Sequence, residues 1–182
     1  MEKLIEKAKK GDKEAFTEII YGIRHDLYKI ARCRLSCEDD IEDAIQETMI
    51  KTFKYIKRLN KNASFKSWII TILINNCNTI YKKNKDRNIS FECLELEKTY
   101  KKTEEYKGLD DLDFYLTLKD LKYDERIVLT LFYLEDYSIK DISKLLKINE
   151  NTIKTRLKRG KDKIKNKYMK GNDEYGFDRY KN

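Results

Sequence analysis

The sequence predicts an all-α protein of two small helical domains joined by a flexible acidic linker. Three observations favour this fold class. Apolar residues recur every three or four positions along most of the 182 residues, which is the spacing of one helix face. The chain contains no proline that would interrupt such helices. Its basic side chains form two blocks with an acidic segment between them, which divides the chain into two candidate units.

The charge distribution gives the first indication of a partner. Residues 1–88 carry 19 basic and 13 acidic side chains, residues 89–115 carry 4 and 8, and residues 116–182 carry 17 and 11. A basic surface releases counterions from a polyphosphate backbone, so nucleic acid is the leading partner class. An anionic membrane surface is the second candidate partner, and the alternative to both is a lysine-rich surface that is merely solvated.

The sequence contains neither a recognisable membrane span nor a secretory signal, and this predicts the cellular compartment. No apolar run approaches the roughly 18 residues of a membrane span. The first ten residues have neither the apolar core nor the cleavage site of a secretory signal. We therefore expect a cytoplasmic protein without membrane insertion, in which the four cysteines remain thiols.

Residues 1–88 are predicted to form the first domain. A short charged helix is expected to end at Gly11, and Asp12 is a suitable N-cap for the next helix. Ser64 is a suitable N-cap for a later one. Three apolar stripes define the longer helices: Ala15, Phe16, Ile19, Ile20, Ile23, Leu27, Ile30 and Ala31; Ile41, Ala44, Ile45, Thr48, Met49, Thr52, Phe53 and Ile56; and Phe65, Trp68, Ile69, Ile72, Leu73 and Ile80.

The second half contains the other predicted domain. Acidic residues interrupt any long stripe between residues 89 and 113, which we interpret as the linker. Residues 114–170 form the second domain, with helices expected over Phe114–Leu121 and Asp124–Leu134. Ser138 and Asp141 have the spacing of a capping box for a third helix. Residues 171–182 are a polar tail.

Residues 138–168 have the spacing of a helix-turn-helix, whose second helix enters the DNA major groove. Lys147 stands in the turn, where a left-handed conformation costs a residue other than glycine roughly 1 kcal/mol. The alternative is an ordinary helical hairpin with a solvated basic face. Apolar residues face inward at Ile139, Ile142, Leu145, Leu146, Ile153, Leu157 and Ile164, whereas Asn151, Lys154, Thr155, Lys158 and Arg159 share an outer face suited to base edges.

A second cluster, residues 39–47, is acidic. On a helix Asp39, Asp43, Gln46 and Glu47 share one side, opposite an apolar stripe. A metal-dependent nuclease would hold two ions with clustered carboxylates, but no second cluster is near and His25 is the only histidine. The pattern favours a protein-docking or solvated face, so we expect no metal and no cofactor.

Four segments in register resemble the extracytoplasmic-function group of bacterial sigma factors. They cover most of the chain and follow the family's order. The segments are Leu4–Phe16, Ile41–Thr48, Ser64–Ile69 and Asn151–Gly160. The resemblance implies a helical domain that recognises the promoter −10 element, a linker and a helix-turn-helix domain that recognises the −35 element, without catalysis.

The resemblance also implies roles for individual residues. The acidic helix would dock on core RNA polymerase, and the loop and third helix would capture bases of the −10 element as it opens. The residues implied for polymerase binding are Asp43, Gln46 and Glu47; for the −10 element Asn60, Lys61, Asn62, Ala63, Ser64, Phe65, Asn75, Asn76, Lys82, Lys83 and Arg87; and for the −35 element Thr152, Lys154, Thr155, Arg156, Lys158, Arg159 and Lys161.

The partners implied by the resemblance are core RNA polymerase, promoter DNA and a membrane-anchored anti-sigma factor that restrains the protein in an envelope-stress response. Two other hypotheses stay open on the residues alone. A stand-alone helix-turn-helix regulator would bind a palindromic duplex without polymerase. A metal-dependent nucleic-acid enzyme would lose activity with a chelator.

Overall fold

The structure, a computed structural model, describes residues 1–60, 64–86, 117–118 and 121–170, without the side chains of Asp86 and residues 167–170. Every regular element in these parts of the chain is helical, which confirms the predicted all-α class. The chain divides into two compact units, Met1–Tyr106 and Lys107–Asn182. The predicted linker (89–113) and tail (171–182) lie outside the described residues, so their character stays a prediction.

The first unit contains α1 (Glu2–Lys9), α2 (Lys13–Arg34), α3 (Glu38–Tyr55), a 3₁₀ turn (Ile56–Arg58) and α4 (Phe65–Asp86). The predicted N-caps are confirmed. Asp12 Oδ1 accepts a hydrogen bond from the Ala15 amide at 3.0 Å. At the start of α4 the Ser64 hydroxyl accepts from the Ser67 amide at 3.3 Å.

The three long helices of this unit pack around one core. Ile19, Leu27, Ile30, Ile41, Ile69 and Leu73 are among its fully buried side chains, and each such burial contributes about 1.5–3 kcal/mol. Polar contacts fix the directions of the helices. Asn84 of α4 donates to Asp40 of α3 at 2.7 Å, and Asn76 donates to Thr48 at 2.9 Å, so α3 and α4 run antiparallel.

The second unit contains α5 (Tyr123–Tyr133), α6 (Ile139–Leu146) and α7 (Glu150–Lys170). Its core joins Ile127, Val128 and Leu131 of α5 to Ile142, Ile153 and Ile164 of the other two helices. Helices α5 and α7 approach closely at Gly160. A Cβ atom on Gly160 would lie 2.5 Å from Leu129 Cδ1, so this crossing favours glycine.

Among the helices that the structure describes, none combines the length and the apolar character that a membrane crossing requires.

Candidate nucleic-acid and protein interfaces

Helices α6 and α7 form the predicted helix-turn-helix. Ser138 caps α6 by accepting from the Asp141 amide at 3.1 Å. The Asp141 carboxylate accepts from the Ser138 hydroxyl at 2.6 Å rather than from the backbone amide that a full capping box would use. Lys147 ends α6 in the left-handed region at φ 56°, ψ 41°, as expected for the turn. Asn149 then caps α7 by accepting from the Thr152 amide at 2.7 Å.

The outer side of α7 is the candidate −35 surface. Lys154, Thr155, Lys158, Arg159 and Lys161 are all exposed on it, while Ile153 and Leu157 are buried on the opposite side. The predicted donors to base edges therefore share one accessible face, and this face is strongly basic.

Two further predicted −35 residues are engaged within the protein. The Thr152 hydroxyl donates to Asn149 Oδ1 at 2.9 Å, so it belongs to the cap of α7. Arg156 pairs with Asp124 at 2.8 Å between Nη2 and Oδ2, and its side chain is 25% exposed. A backbone phosphate would have to compete with these partners.

A second ion pair holds α7 about two turns further along. Lys163 Nζ lies 2.6 Å from Oε2 of the buried Glu125, which also accepts from the Lys122 amide at 3.1 Å. Burial raises the pKa of this carboxyl, but the bonds from Lys163 and Lys122 outweigh it and the net pKa is lowered. Glu125 therefore remains ionised at neutral pH and fixes α7 against α5.

The candidate −10 surface lies on the solvent side of α4. Asn60, Ser64, Asn75, Lys82 and Lys83 are exposed there or in the segment leading to it. The other predicted residues of this set, Lys61, Asn62, Ala63 and Arg87, lie outside the described residues.

Two predicted −10 residues are placed in the core instead. Phe65 is 5% exposed, and its ring centroid lies 6.1 Å from that of Trp68. Asn76 is 5% exposed; its Nδ2 donates to Thr48 Oγ1, and its Oδ1 accepts from Lys51 Nζ at 2.7 Å. Both ends of the Asn76 amide are thus used inside the domain. Phe65 and Asn76 thus pack inside the domain and help to hold α4 in place, whereas the neighbouring Asn75 is exposed.

The outward face of α3 is the candidate polymerase surface. Asp43, Gln46 and Glu47 are exposed, and Glu47 pairs with Lys51 at 3.2 Å. The face continues into Ile50 and Phe53, which are 56% and 40% exposed. Phe53, the next-to-last residue of the apolar stripe, is partly open to solvent, and its ring meets the Phe16 ring edge-on, with centroids 5.0 Å apart.

Ile50 is an exposed residue that the sequence analysis did not identify, although the sequence already places it on this face of the helix. It follows Gln46 by four residues, so the two share a helix face. An exposed apolar pair beside acidic groups is typical of a protein contact. No group of three or more histidine, cysteine or carboxylate side chains among the described residues is arranged to hold a metal ion.

Family comparisons match both units. The model of sigma-70 region 2 matches residues 22–87, and the model of sigma-70 region 4 matches residues 112–164. The extracytoplasmic-function sigma factor SigW of Bacillus subtilis is 28% identical over 177 residues, covering 91% of this chain and 95% of SigW. The chain is a sigma factor of the extracytoplasmic-function group.

Solved structures agree on the fold of this sigma factor. CnrH, in complex with the cytosolic domain of CnrY, matches with a TM-score of 0.70 at 17% identity, covering 93% of this chain and 97% of CnrH. The sigma factor RpoE of Bartonella quintana, in complex with the anti-sigma factor NepR, matches with a TM-score of 0.65 at 22% identity, covering 87% and 98% of the two chains. As a sigma factor, the protein is a specificity subunit of RNA polymerase.

Proposed function

We propose that this sigma factor docks on core RNA polymerase through α3 and directs initiation at promoters whose −10 and −35 elements contact α4 and α7. The observation that carries the proposal is the arrangement of its exposed side chains. An acidic and apolar face lies on α3, an amide and lysine face on α4, and a basic face on α7. Each face has the chemistry of the partner assigned to it.

The −35 element would be read as duplex DNA by α7. Lys154, Thr155, Lys158 and Arg159 offer donors at the spacing of base edges in the major groove. Thr152, Arg156 and Lys161 flank them and would contact the phosphate backbone. For Arg156, a phosphate would replace Asp124 as the partner of the guanidinium.

The −10 element would be captured after its strands separate. An extruded base offers its hydrogen-bonding edge, and an amide can both donate to that edge and accept from it. Asn75 is the exposed amide at the centre of α4. Asn60 and Ser64 lie before the helix, and Lys82 and Lys83 would neutralise neighbouring phosphates.

Polymerase would be bound by the α3 face. Asp43, Gln46 and Glu47 supply charge and hydrogen bonds, while Ile50 and Phe53 supply apolar area at the same surface. This combination suits a specific contact, because apolar residues contribute burial and the polar residues fix orientation.

We further propose that a membrane-anchored anti-sigma factor covers these faces in the cytoplasm and releases the protein in an envelope-stress response. What supports an anti-sigma partner is that the similar sigma factor RpoE forms a complex with the anti-sigma factor NepR, and CnrH forms one with the cytosolic domain of CnrY.

Run-off transcription tests the proposal directly. Purified core polymerase from the same organism is given genomic fragments, including the region upstream of this gene, with and without the protein. A protein-dependent transcript is the expected result, and its start site locates both promoter elements. Duplex binding without any transcript would favour a stand-alone regulator, and nucleic-acid cleavage that a chelator abolishes would favour an enzyme.

A further inference from the structure

One side chain, Lys51, joins the outward face of α3 to the interior side of α4. Its Nζ lies 3.2 Å from Glu47 Oε1, one turn earlier in the same helix. The same atom lies 2.7 Å from Asn76 Oδ1 in α4. Glu47 belongs to the proposed polymerase surface, and Asn76 directly follows Asn75, the proposed base-capturing residue. Lys51 thus connects the two surfaces through two hydrogen-bonded steps.

The Asn76 amide contributes to the orientation of α4 on α3 at this point. Its Nδ2 donates to Thr48 Oγ1 at 2.9 Å, and the Thr48 hydroxyl donates in turn to the Ala44 carbonyl at 2.7 Å. Thr48 is fully buried, so this half of the contact is shielded from water. The other polar atom of the amide, Asn76 Oδ1, accepts from Lys51 Nζ. Because Asn75 and Asn76 are adjacent in one helix, a rotation that moves the Asn76 side chain also redirects Asn75.

We propose that Lys51 is a positioning residue that couples polymerase binding at Glu47 to the orientation of Asn75. This inference rests on the proposed function. Glu47 and Asn76 are both acceptors for one ammonium group. A cationic group of the polymerase that pairs with Glu47 weakens the attraction of Glu47 for the Lys51 ammonium group, so Lys51 binds Asn76 more tightly and α4 is held more firmly.

The coupling acts in both directions and is modest. By linkage, an α4 already fixed by DNA favours the same state of Lys51 and so strengthens the polymerase contact. The Lys51 and Glu47 side chains are 42% and 50% exposed. Exposed ion pairs of this kind are weak, which sets the expected effect at about twofold to fivefold.

The relay can be tested without polymerase by NMR of the full-length protein labelled with ¹⁵N. The Glu47→Gln substitution removes the carboxylate charge, and Glu47 itself makes no bond to Asn76. The relay predicts that Glu47→Gln shifts the side-chain amide signals of Asn76, and that the same substitution has no such effect in a Lys51→Met background. Equal shifts in both backgrounds, or no shift in either, would overturn the relay.

A matched control lies on the same helix. Lys54 is exposed, and its ammonium group lies 5.3 Å from the centroid of the Tyr55 ring. Lys54→Met is expected to leave the Asn76 signals unchanged, whereas Lys51→Met shifts them. If Lys51→Met does not fold, Lys51→Leu, which also lacks a donor, serves in its place, and the same cycle with Glu47→Gln gives the same two outcomes.

The functional consequence is measured in the assembled holoenzyme. At saturating core polymerase, Lys51→Met is expected to weaken binding of a single-stranded oligonucleotide carrying the −10 sequence by about twofold to fivefold. The conservative variant Lys51→Arg and the control Lys54→Met are both expected to bind the oligonucleotide as the wild type does. Unchanged binding in Lys51→Met, with normal binding by the wild type, refutes the positioning role. Absence of assembly or strand binding in the wild type refutes the proposed function instead.

Discussion

The two helices proposed to meet DNA are attached to their domains in different ways. Helix α4 is held on α3 by asparagine amides, with Asn76 bonded to Thr48 and Lys51 and Asn84 bonded to Asp40. Helix α7 is held on α5 by the ion pairs Arg156–Asp124 and Lys163–Glu125 and by a close apolar contact at Gly160.

These attachments respond to different conditions. The buried bond between Asn76 and Thr48 joins two groups that carry no charge, so acid does not weaken it. The Glu125 carboxylate loses its ion pair with Lys163 when it is protonated, so this part of the α7 attachment weakens in acid. The attachment of α7, the helix proposed to read duplex DNA, thus includes a buried carboxylate that must stay ionised.

Removing the buried amide of α4 should cause the greatest loss of stability. Asn76→Ala removes both amide bonds in a buried site and leaves a small cavity, so we expect the first unit to lose about 2–3 kcal/mol of unfolding free energy. Amide hydrogen exchange in the full-length protein measures this loss separately for each unit. Asn75→Ala, at the neighbouring exposed position, is the control and should leave exchange in α4 nearly unchanged. Similar losses for both variants would contradict the burial of Asn76.

The crossing of α5 and α7 at Gly160 should be almost as sensitive. Gly160→Ala places a methyl group against Cδ1 of the fully buried Leu129 and should destabilise the second unit by about 1–3 kcal/mol. Gly22 in α2 offers the matched control, because a methyl group added there would have no neighbour within 4 Å. Gly22→Ala should stabilise the first unit by up to about 1 kcal/mol through helix propensity. Thermal unfolding of the two variants gives opposite shifts if the crossing is as close as described.

Acid should act on α7 through Glu125. The pKa of Glu125 is lower in the folded state than the value of about 4.3 for an unperturbed carboxyl. The contribution of Glu125 to the free energy of unfolding is therefore complete above that value, and it is lost as pH falls through the pKa of the folded state. Hydrogen exchange as a function of pH should show this loss in α7 of the wild type. Glu125→Gln should remove that part of the pH dependence and cost about 1–2 kcal/mol at neutral pH; an unaltered profile would assign the acid response to other groups.

The turn before α7 should give the smallest change. Lys147 adopts φ 56°, so Lys147→Gly should relieve strain and stabilise the second unit by up to about 1 kcal/mol. Lys144→Gly, three residues earlier and exposed in α6, should destabilise it by about the same amount because glycine is a poor helix former. Urea unfolding midpoints compare the two, and a shift in the same direction for both would argue against the left-handed turn.

Periodicity made the helices and the α7 surface predictable. The lysine and arginine side chains of α7 could be placed on the solvent side of the helix from the sequence alone, because burying their charge is costly. Asparagine carries no such constraint, so Asn75 and Asn76 looked alike in sequence although one is exposed and the other is buried. The Gly160 contact depends on Leu129, 31 positions away in the chain, and no local pattern reveals it.

The apolar stripe of α3 shows a second limit. Helical spacing places Phe53 with the core residues, but in the folded domain the side chain is partly exposed beside Phe16. How far a stripe remains covered depends on the lengths and crossing of the neighbouring helices, which are properties of the packed domain.

Duplex binding and promoter opening, measured on one promoter fragment with the assembled polymerase, separate the roles proposed for α4 and α7. We expect Asn75→Ala to keep duplex binding and to lose opening. Lys158→Ala and Arg159→Ala should each weaken duplex binding by about 1–3 kcal/mol and relax the −35 preference. Equal losses of binding and opening in Asn75→Ala, or an unchanged −35 preference in the α7 variants, would contradict this division of roles.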